Sequence, residues 1–213
     1  MYIDVSNVSI SFEENKEQHT ILNDVSLQVE KGEFICLLGP SGCGKSTLLN
    51  AMAGFLKPSS GEIKIDGQTV EKPSMKYVTI FQNYGLLPWR SVQKNVELGL
   101  ETKKLGKEEK KKITDHYLEM VGLKEAAKKR PAQLSGGMQQ RVAIARALAA
   151  APAIILADEP TGNLDGKTSQ DVLSLLKVTS RKFAQTIVMI THNEEIAQLA
   201  DRIIRIEDGR IIK

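Results

Sequence analysis

The chain has 213 residues and a mass of 23.5 kDa; 41% of the residues are hydrophobic, 26% are charged, and the formal net charge is +3. That balance suits a soluble globular domain and excludes a disordered tail, a fibre, and a nucleic-acid binder held by bulk charge. The longest nearly apolar stretch, from Ala147 to Ala157, is interrupted by Pro152 and falls short of the roughly 20 residues that a membrane-spanning helix needs.

The opening Met1-Tyr2-Ile3-Asp4 lacks the basic and apolar run of a secretory leader, which predicts a cytoplasmic protein. Ile3, Val5, Val8, Ile10 and Phe12 alternate with polar residues, and Leu27 and Val29 resume the pattern after a predicted loop at Glu13 to His19. Half-exposed antiparallel strands are expected there. Phe34 to Leu38 is instead continuously apolar and ends at Gly39, as in a parallel-sheet strand covered on both faces. Lys45 to Ala53 reads as a helix closed by Gly54 and Pro58. Ile63 to Gln68 reads as a hairpin with an Asp-Gly turn, and Tyr77 to Phe81 as a strand.

From about 85 to 134 the spacing turns helical and rich in lysine and glutamate. Lys103, Lys104, Lys107, Lys110, Lys111 and Lys112 interleave with Glu101, Glu108 and Glu109, the pattern of a solvated helix face. Strands return at Ala153 to Ala157 and at Thr186 to Ile190, each before a helical stretch. Ile203 to Ile206 then turns through Asp208-Gly209 into a short last strand. The expectation is one α/β domain over 1–213, with a mostly parallel sheet, an N-terminal antiparallel part, and a helical insert at about 85–134 between core segments 1–84 and 135–213. Cys36 and Cys43 have neither the number nor the spacing of a disulfide framework or a zinc site.

Two constellations carry chemistry on their own residues. Gly39-Pro40-Ser41-Gly42-Cys43-Gly44-Lys45-Ser46-Thr47 fits G-x-x-x-x-G-K-[ST] and lies between a buried strand and a helix, where its N–H groups can converge on phosphate. Lys45 suits the β- and γ-phosphates, Ser46 a Mg²⁺ ion and Thr47 the α-phosphate. Cys43 joins this loop through its backbone N–H. Asp158 and Glu159 end the apolar strand 154–157; Asp158 suits a metal shell, and Glu159 suits orienting and deprotonating an attacking water. Ser135-Gly136-Gly137, ahead of a helical stretch reaching Ala149, forms a second anion-binding helix start.

Taken in order, these motifs resemble the ABC (ATP-binding cassette) family over nearly the whole chain. Leu134 to Gly137 is similar to the signature motif, Gln82 to the Q-loop, Asn163-Leu164-Asp165 to the D-loop, His192 to the switch histidine and Phe12 to the aromatic that stacks on adenine. The resemblance implies a P-loop NTPase core that binds ATP and Mg²⁺. It implies Lys45, Gln82, Glu159 and His192 as the catalytic set and Ser46, Gln82 and Asp158 around the metal. Nucleotide contacts would come from Phe12, Gly39, Pro40, Ser41, Gly42, Cys43, Gly44, Lys45, Ser46 and Thr47, with Ser135, Gly136, Gly137 and Asp165. Also implied are a head-to-tail dimer sharing each ATP between two subunits, permease subunits at the cytoplasmic face of a membrane, a solute-binding protein beyond it, and no nucleic acid.

Within the family, Phe81 to Val92 with Asn95-Val96 resembles the nitrate, sulfonate and taurine importer ATPases, whereas Leu156 to Ser169 resembles lipoprotein-release and macrolide-export ATPases. The first stretch neighbours the expected permease interface, so uptake is favoured and export or extraction is the alternative. Trp89 and Arg90 would either belong to that interface or cover the helical insert. The sequence stops soon after Ile206, and on that reading no regulatory C-terminal domain is expected. The long coiled-coil insert of DNA-repair ATPases, a second cassette and an Asn-Lys-x-Asp guanine reader are all missing from it.

Overall fold

A computed structural model describes residues 1–14 and 17–212. The first two strands, β1 (Ile3–Glu14) and β2 (Glu17–Val29), pair antiparallel, and the hairpin is longer than the sequence suggests. Instead of a loop over Glu13 to His19, Phe12 faces His19, Glu13 faces Gln18 and Glu14 faces Glu17; Asn15 and Lys16 lie outside the described residues. Glu13, Glu17, Gln18 and His19 are exposed, so their polar composition hides a strand that cross-strand pairing defines. Together with β4 (Ser60–Ile65) and β5 (Gln68–Thr69) it forms a four-stranded sheet in the order β2-β1-β4-β5.

The second sheet positions the chemistry. It contains β3 (Phe34–Leu38), β6 (Tyr77–Ile80), β7 (Ile154–Asp158), β8 (Thr186–Thr191), β9 (Arg202–Glu207) and β10 (Arg210–Ile212) in the order β10-β9-β3-β8-β7-β6. All neighbours are parallel except β9 and β10, which the Asp208-Gly209 turn joins; the predicted last strand ends at Ile212, and Lys213 lies outside the described residues.

Every residue of β3 is buried, because its alternate side chains serve two cores. Ile35 and Leu37 join Ile154, Leu156, Val188 and Ile190 in the core under the N-terminal sheet and helix α1 (Lys45–Met52). Phe34, Cys36 and Leu38 join Ile155, Ala157, Ile187 and Met189 in a core on the other face. Each such fully buried aliphatic side chain is worth about 1.5–3 kcal/mol, so the layers between which β3 is caught are strongly held. Burial pushes the Cys36 thiol up to about 12, which makes it a packing residue rather than a nucleophile.

Helices α2 (Val92–Glu97) and α3 (Lys107–Met120) build a third core around Val92, Val96, Leu100 and Leu118. Helix α4 (Gly136–Ala149) is shared: Val142, Ala145 and Ala149 enter this helical core, while Ala143, Ile144, Ala147 and Leu148 enter the core on the second sheet face. Its opposite stripes lock the helical part to the sheet. Helix α5 (Gly166–Phe183) covers the same sheet face, and the short α6 (Glu194–Ala197) follows β8. The lysine-rich face of α3 is solvated as expected, with Lys111 paired to Asp115 one turn on. Among the described residues no helix is long and apolar enough to cross a membrane.

Candidate active site

The parallel strands β3, β7 and β8 run the same way, so the segments after them, at 39–47, 159–165 and 192–193, gather at one edge of the sheet. The first forms a tight cradle. Gly44, at the N-terminus of α1, has φ +99°, and a Cβ there would meet Leu22 Cδ2 at 2.6 Å, so only glycine fits. Lys45 is the first residue of α1 and is 5% exposed; its Nζ donates to Gly39 O at 2.8 Å and Pro40 O at 2.6 Å and contacts Cys43 Sγ at 3.5 Å. The ammonium is thus folded into the hollow of its own loop, satisfied by carbonyls.

Next to it, the Ser46 hydroxyl donates to Asp158 Oδ1 at 3.1 Å. Burial raises the Asp158 pKa; the bond from Ser46 works against that rise, the neighbouring Glu159 adds to it, and Lys45 lowers it. Two oxygen ligands beside a lysine at the C-terminal end of a strand suit a hard cation carried in with phosphate, and Mg²⁺ fits this donor set.

The adjacent acids diverge, though not through strand alternation alone. β7 ends at Asp158, and Glu159 sits past it with φ +43°, an unfavourable conformation for a non-glycine residue that re-aims its carboxylate. Its Oε2 accepts from Gln82 Nε2 at 3.3 Å, and its Oε1 lies 3.2 Å from His192 Nδ1. Asn163 Nδ2 donates to Gln82 O at 3.2 Å. A polar chain therefore runs from the segment after β8, through Glu159, to the turn after β6.

A cleft of about 540 Å³ brings together Phe12, Ser41, Gly42, Gly44, Lys45, Ser46, Thr47, Gln82, Asp158 and Glu159. Phe12 is 45% exposed, leaving its ring face available to a planar ligand. Ile21, which also lines the cleft, went unnoticed in the sequence because it reads as one more strand residue. Gly39, Pro40 and Cys43 belong to the loop but do not line the cleft wall, and the Gly39 and Pro40 carbonyls accept from Lys45 instead.

Five more of the predicted residues, His192, Ser135, Gly136, Gly137 and Asp165, do not line this cleft either, and the last four lie away from it. Ser135 caps α4 by accepting from Met138 N at 3.3 Å, and Asp165 caps α5 by accepting from Thr168 N at 3.0 Å and Thr168 Oγ1 at 2.7 Å. The Thr168 N–H and hydroxyl hold the Asp165 carboxyl below the usual range. A Cβ on Gly137 would fall 2.3 Å from Thr168 Cγ2, so glycine lets the start of α4 approach the start of α5. Ser135, Gly136, Gly137 and Asp165 thus form a separate patch, with Ser135 exposed.

Trp89 is 69% exposed and Arg90 pairs with Glu101 at 2.5 Å, so Trp89 does not cover the helical core. The Leu87–Ser91 segment that presents it is clamped by the buried Asn95, which accepts from Leu87 N and donates to the Leu87, Arg90 and Ser91 carbonyls.

A family model described as ABC transporter matches residues 22–162. A nitrate import ATP-binding protein of Synechococcus elongatus is 44% identical over 95% of this chain and 75% of its own length. A taurine import ATP-binding protein of Pseudomonas aeruginosa is 43% identical over 97% of this chain and 80% of its own. A bacterial ABC transporter cassette solved as a dimer superposes with a TM-score of 0.91 at 39% identity, covering 99% of this chain and 97% of that one.

Proposed function

Since this chain belongs to the ABC transporter family as an ATP-binding domain, we propose that it is the ATP-hydrolysing subunit of an uptake system for a small anion or sulfonate. The observation that carries the reading is the cleft in which Lys45, Ser46, Gln82, Asp158 and Glu159 converge from three separate segments. Relatives whose names specify nitrate and taurine import support the direction of transport and the class of solute.

Adenine stacks on Phe12, and the N–H groups of 41–47 bind the phosphates. Lys45 exchanges the carbonyls of Gly39 and Pro40 for phosphate oxygens of higher charge. Ser46, Asp158 and Gln82 would hold Mg²⁺, which would supply neutralisation of the phosphate charge. Glu159 accepts the proton of the water that attacks the γ-phosphorus, and Gln82 and His192, one on each carboxylate oxygen, fix its orientation. His192 is also placed to steady the departing γ-phosphate.

Ser135, Gly136, Gly137 and Asp165 complete the site of a second copy in a head-to-tail dimer, which accounts for their position outside their own chain's cleft. The helical stretch 85–134 acts as the subdomain that meets the permease subunits at the cytoplasmic face of the membrane, with Trp89 in that contact. A solute-binding protein on the other side delivers the solute.

Purified protein should release inorganic phosphate from MgATP, and Lys45→Ala should abolish release and weaken ATP binding. Undiminished release by Lys45→Ala would exclude this cleft as the hydrolytic site.

A further inference from the structure

The turn that carries Gln82 has an unexplained feature two residues on. Tyr84 has φ +65°, a conformation that costs a bulky residue on the order of 1–3 kcal/mol and that persists only when the surroundings enforce it. Gly85 follows at φ +56°. The enforcing group comes from the last turn of α4: the partly buried Arg146 guanidinium donates to Gly85 O through Nη1 at 2.5 Å and to Tyr84 O through Nη2 at 3.0 Å. Burial pushes the pKa of this guanidinium down, and the hydrogen-bond partners it has are these two carbonyls.

The Tyr84 side chain runs toward the other end of the same helix, where its hydroxyl would lie 2.8 Å from a Cβ on Gly136. One residue therefore meets α4 twice, bonded through its carbonyl to Arg146 and packed with its ring tip against the glycine start. On the opposite side Asn163 holds Gln82 O and Glu159 accepts from Gln82 Nε2.

We propose that Arg146 is a positioning residue that ties α4 to the Gln82 turn, so that engagement of nucleotide by Gln82 sets the placement of Ser135, Gly136 and Gly137. The inference rests on the function proposed above and adds a specific coupling element to it. Neither Arg146 nor Tyr84 lines the nucleotide cleft, so their effect is transmitted through the turn and the helix. The forked guanidinium suits two adjacent carbonyls in a way that a lysine ammonium cannot match.

The test is Arg146→Lys, made in the otherwise unaltered chain and in Glu159→Gln. ATP affinity of the monomer should stay within twofold, whereas turnover and the ATP-driven dimerisation of the Glu159→Gln form should each fall at least tenfold. Tyr84→Gly is the second variant. Glycine adopts φ +65° without strain but gives up the ring's packing against the core, so this protein should melt within a few degrees of the parent, yet it should show the same split between intact binding and lost dimerisation. If Arg146→Lys fails to fold, Tyr84→Gly decides alone.

Turnover and dimerisation within twofold of the parent would overturn the inference, as would losses that merely follow a fall in melting temperature and ATP affinity. A parent protein without ATP turnover would instead refute the function on which the inference rests, so the two failures are distinguishable.

Discussion

The phosphate cradle and the Ser135–Gly137 patch are both glycine-rich helix starts, yet their surroundings differ. The cradle is closed in by its own chain: Lys45 is buried and doubly bonded to loop carbonyls, and Asp158, Glu159 and Gln82 line the same cleft. The patch has an exposed Ser135 that caps only its own helix and lines no part of that cleft. On the proposed function, one region binds with what the chain supplies and the other completes a site in a second copy. Binding and closure should therefore be separable by mutation.

The sharpest separation is expected from Ser135→Arg. Its bulk and charge fall on the patch alone, so ATP affinity should remain within about twofold while turnover falls by two orders of magnitude or more, the scale of losing one preorganised donor to a developing charge. Equilibrium binding of a fluorescent ATP analogue and a phosphate-release assay on the same preparation check it. Equal losses in both would merge the two regions into one.

Phe12→Ala should act the opposite way. Losing a stacking platform costs about 1–3 kcal/mol, hence roughly 5- to 150-fold in ATP affinity, with little change in turnover at saturation. An unchanged KM for ATP would place adenine off Phe12.

A smaller, graded effect follows from Asp158. Its folded pKa is raised, so it gains a proton at a higher pH than an ordinary aspartate, and only the deprotonated form can ligate a cation. The Mg²⁺ concentration for half-maximal turnover should rise as pH falls through that raised pKa, by about tenfold per unit once the protonated form dominates. Ser46→Ala removes the bond that opposes the rise, which moves the onset to still higher pH. A flat Mg²⁺ requirement across the acid range would take Asp158 out of the metal shell.

Much of this was readable in the chain because local rules and function agree. The continuous apolar runs at 34–38 and 154–157 announce strands with two buried faces, and each delivers its motif at the same sheet edge. The hairpin tip at 13–19 was not readable, since solvated strands held by pairing alone leave no apolar alternation. Nor was the aim of Glu159 legible. Strand alternation separates it from Asp158 correctly, but the actual cause is a left-handed backbone beyond the strand end. The Arg146 contacts join positions more than sixty residues apart through backbone carbonyls, which carry no side-chain identity to read. The run Asn83-Tyr84-Gly85 was the available hint, because asparagine and glycine favour such a turn, and the strain sits on the tyrosine between them.

The central claim is that each chain binds ATP alone but closes a working site only with a second copy. Size-exclusion chromatography with light scattering on Glu159→Gln, with and without MgATP, tests it most directly. The account predicts a monomer without nucleotide and a dimer with it, reverting to monomer when Ser135→Arg is added. A protein that binds MgATP yet stays monomeric would contradict it, as would a dimer that forms equally well with the patch destroyed.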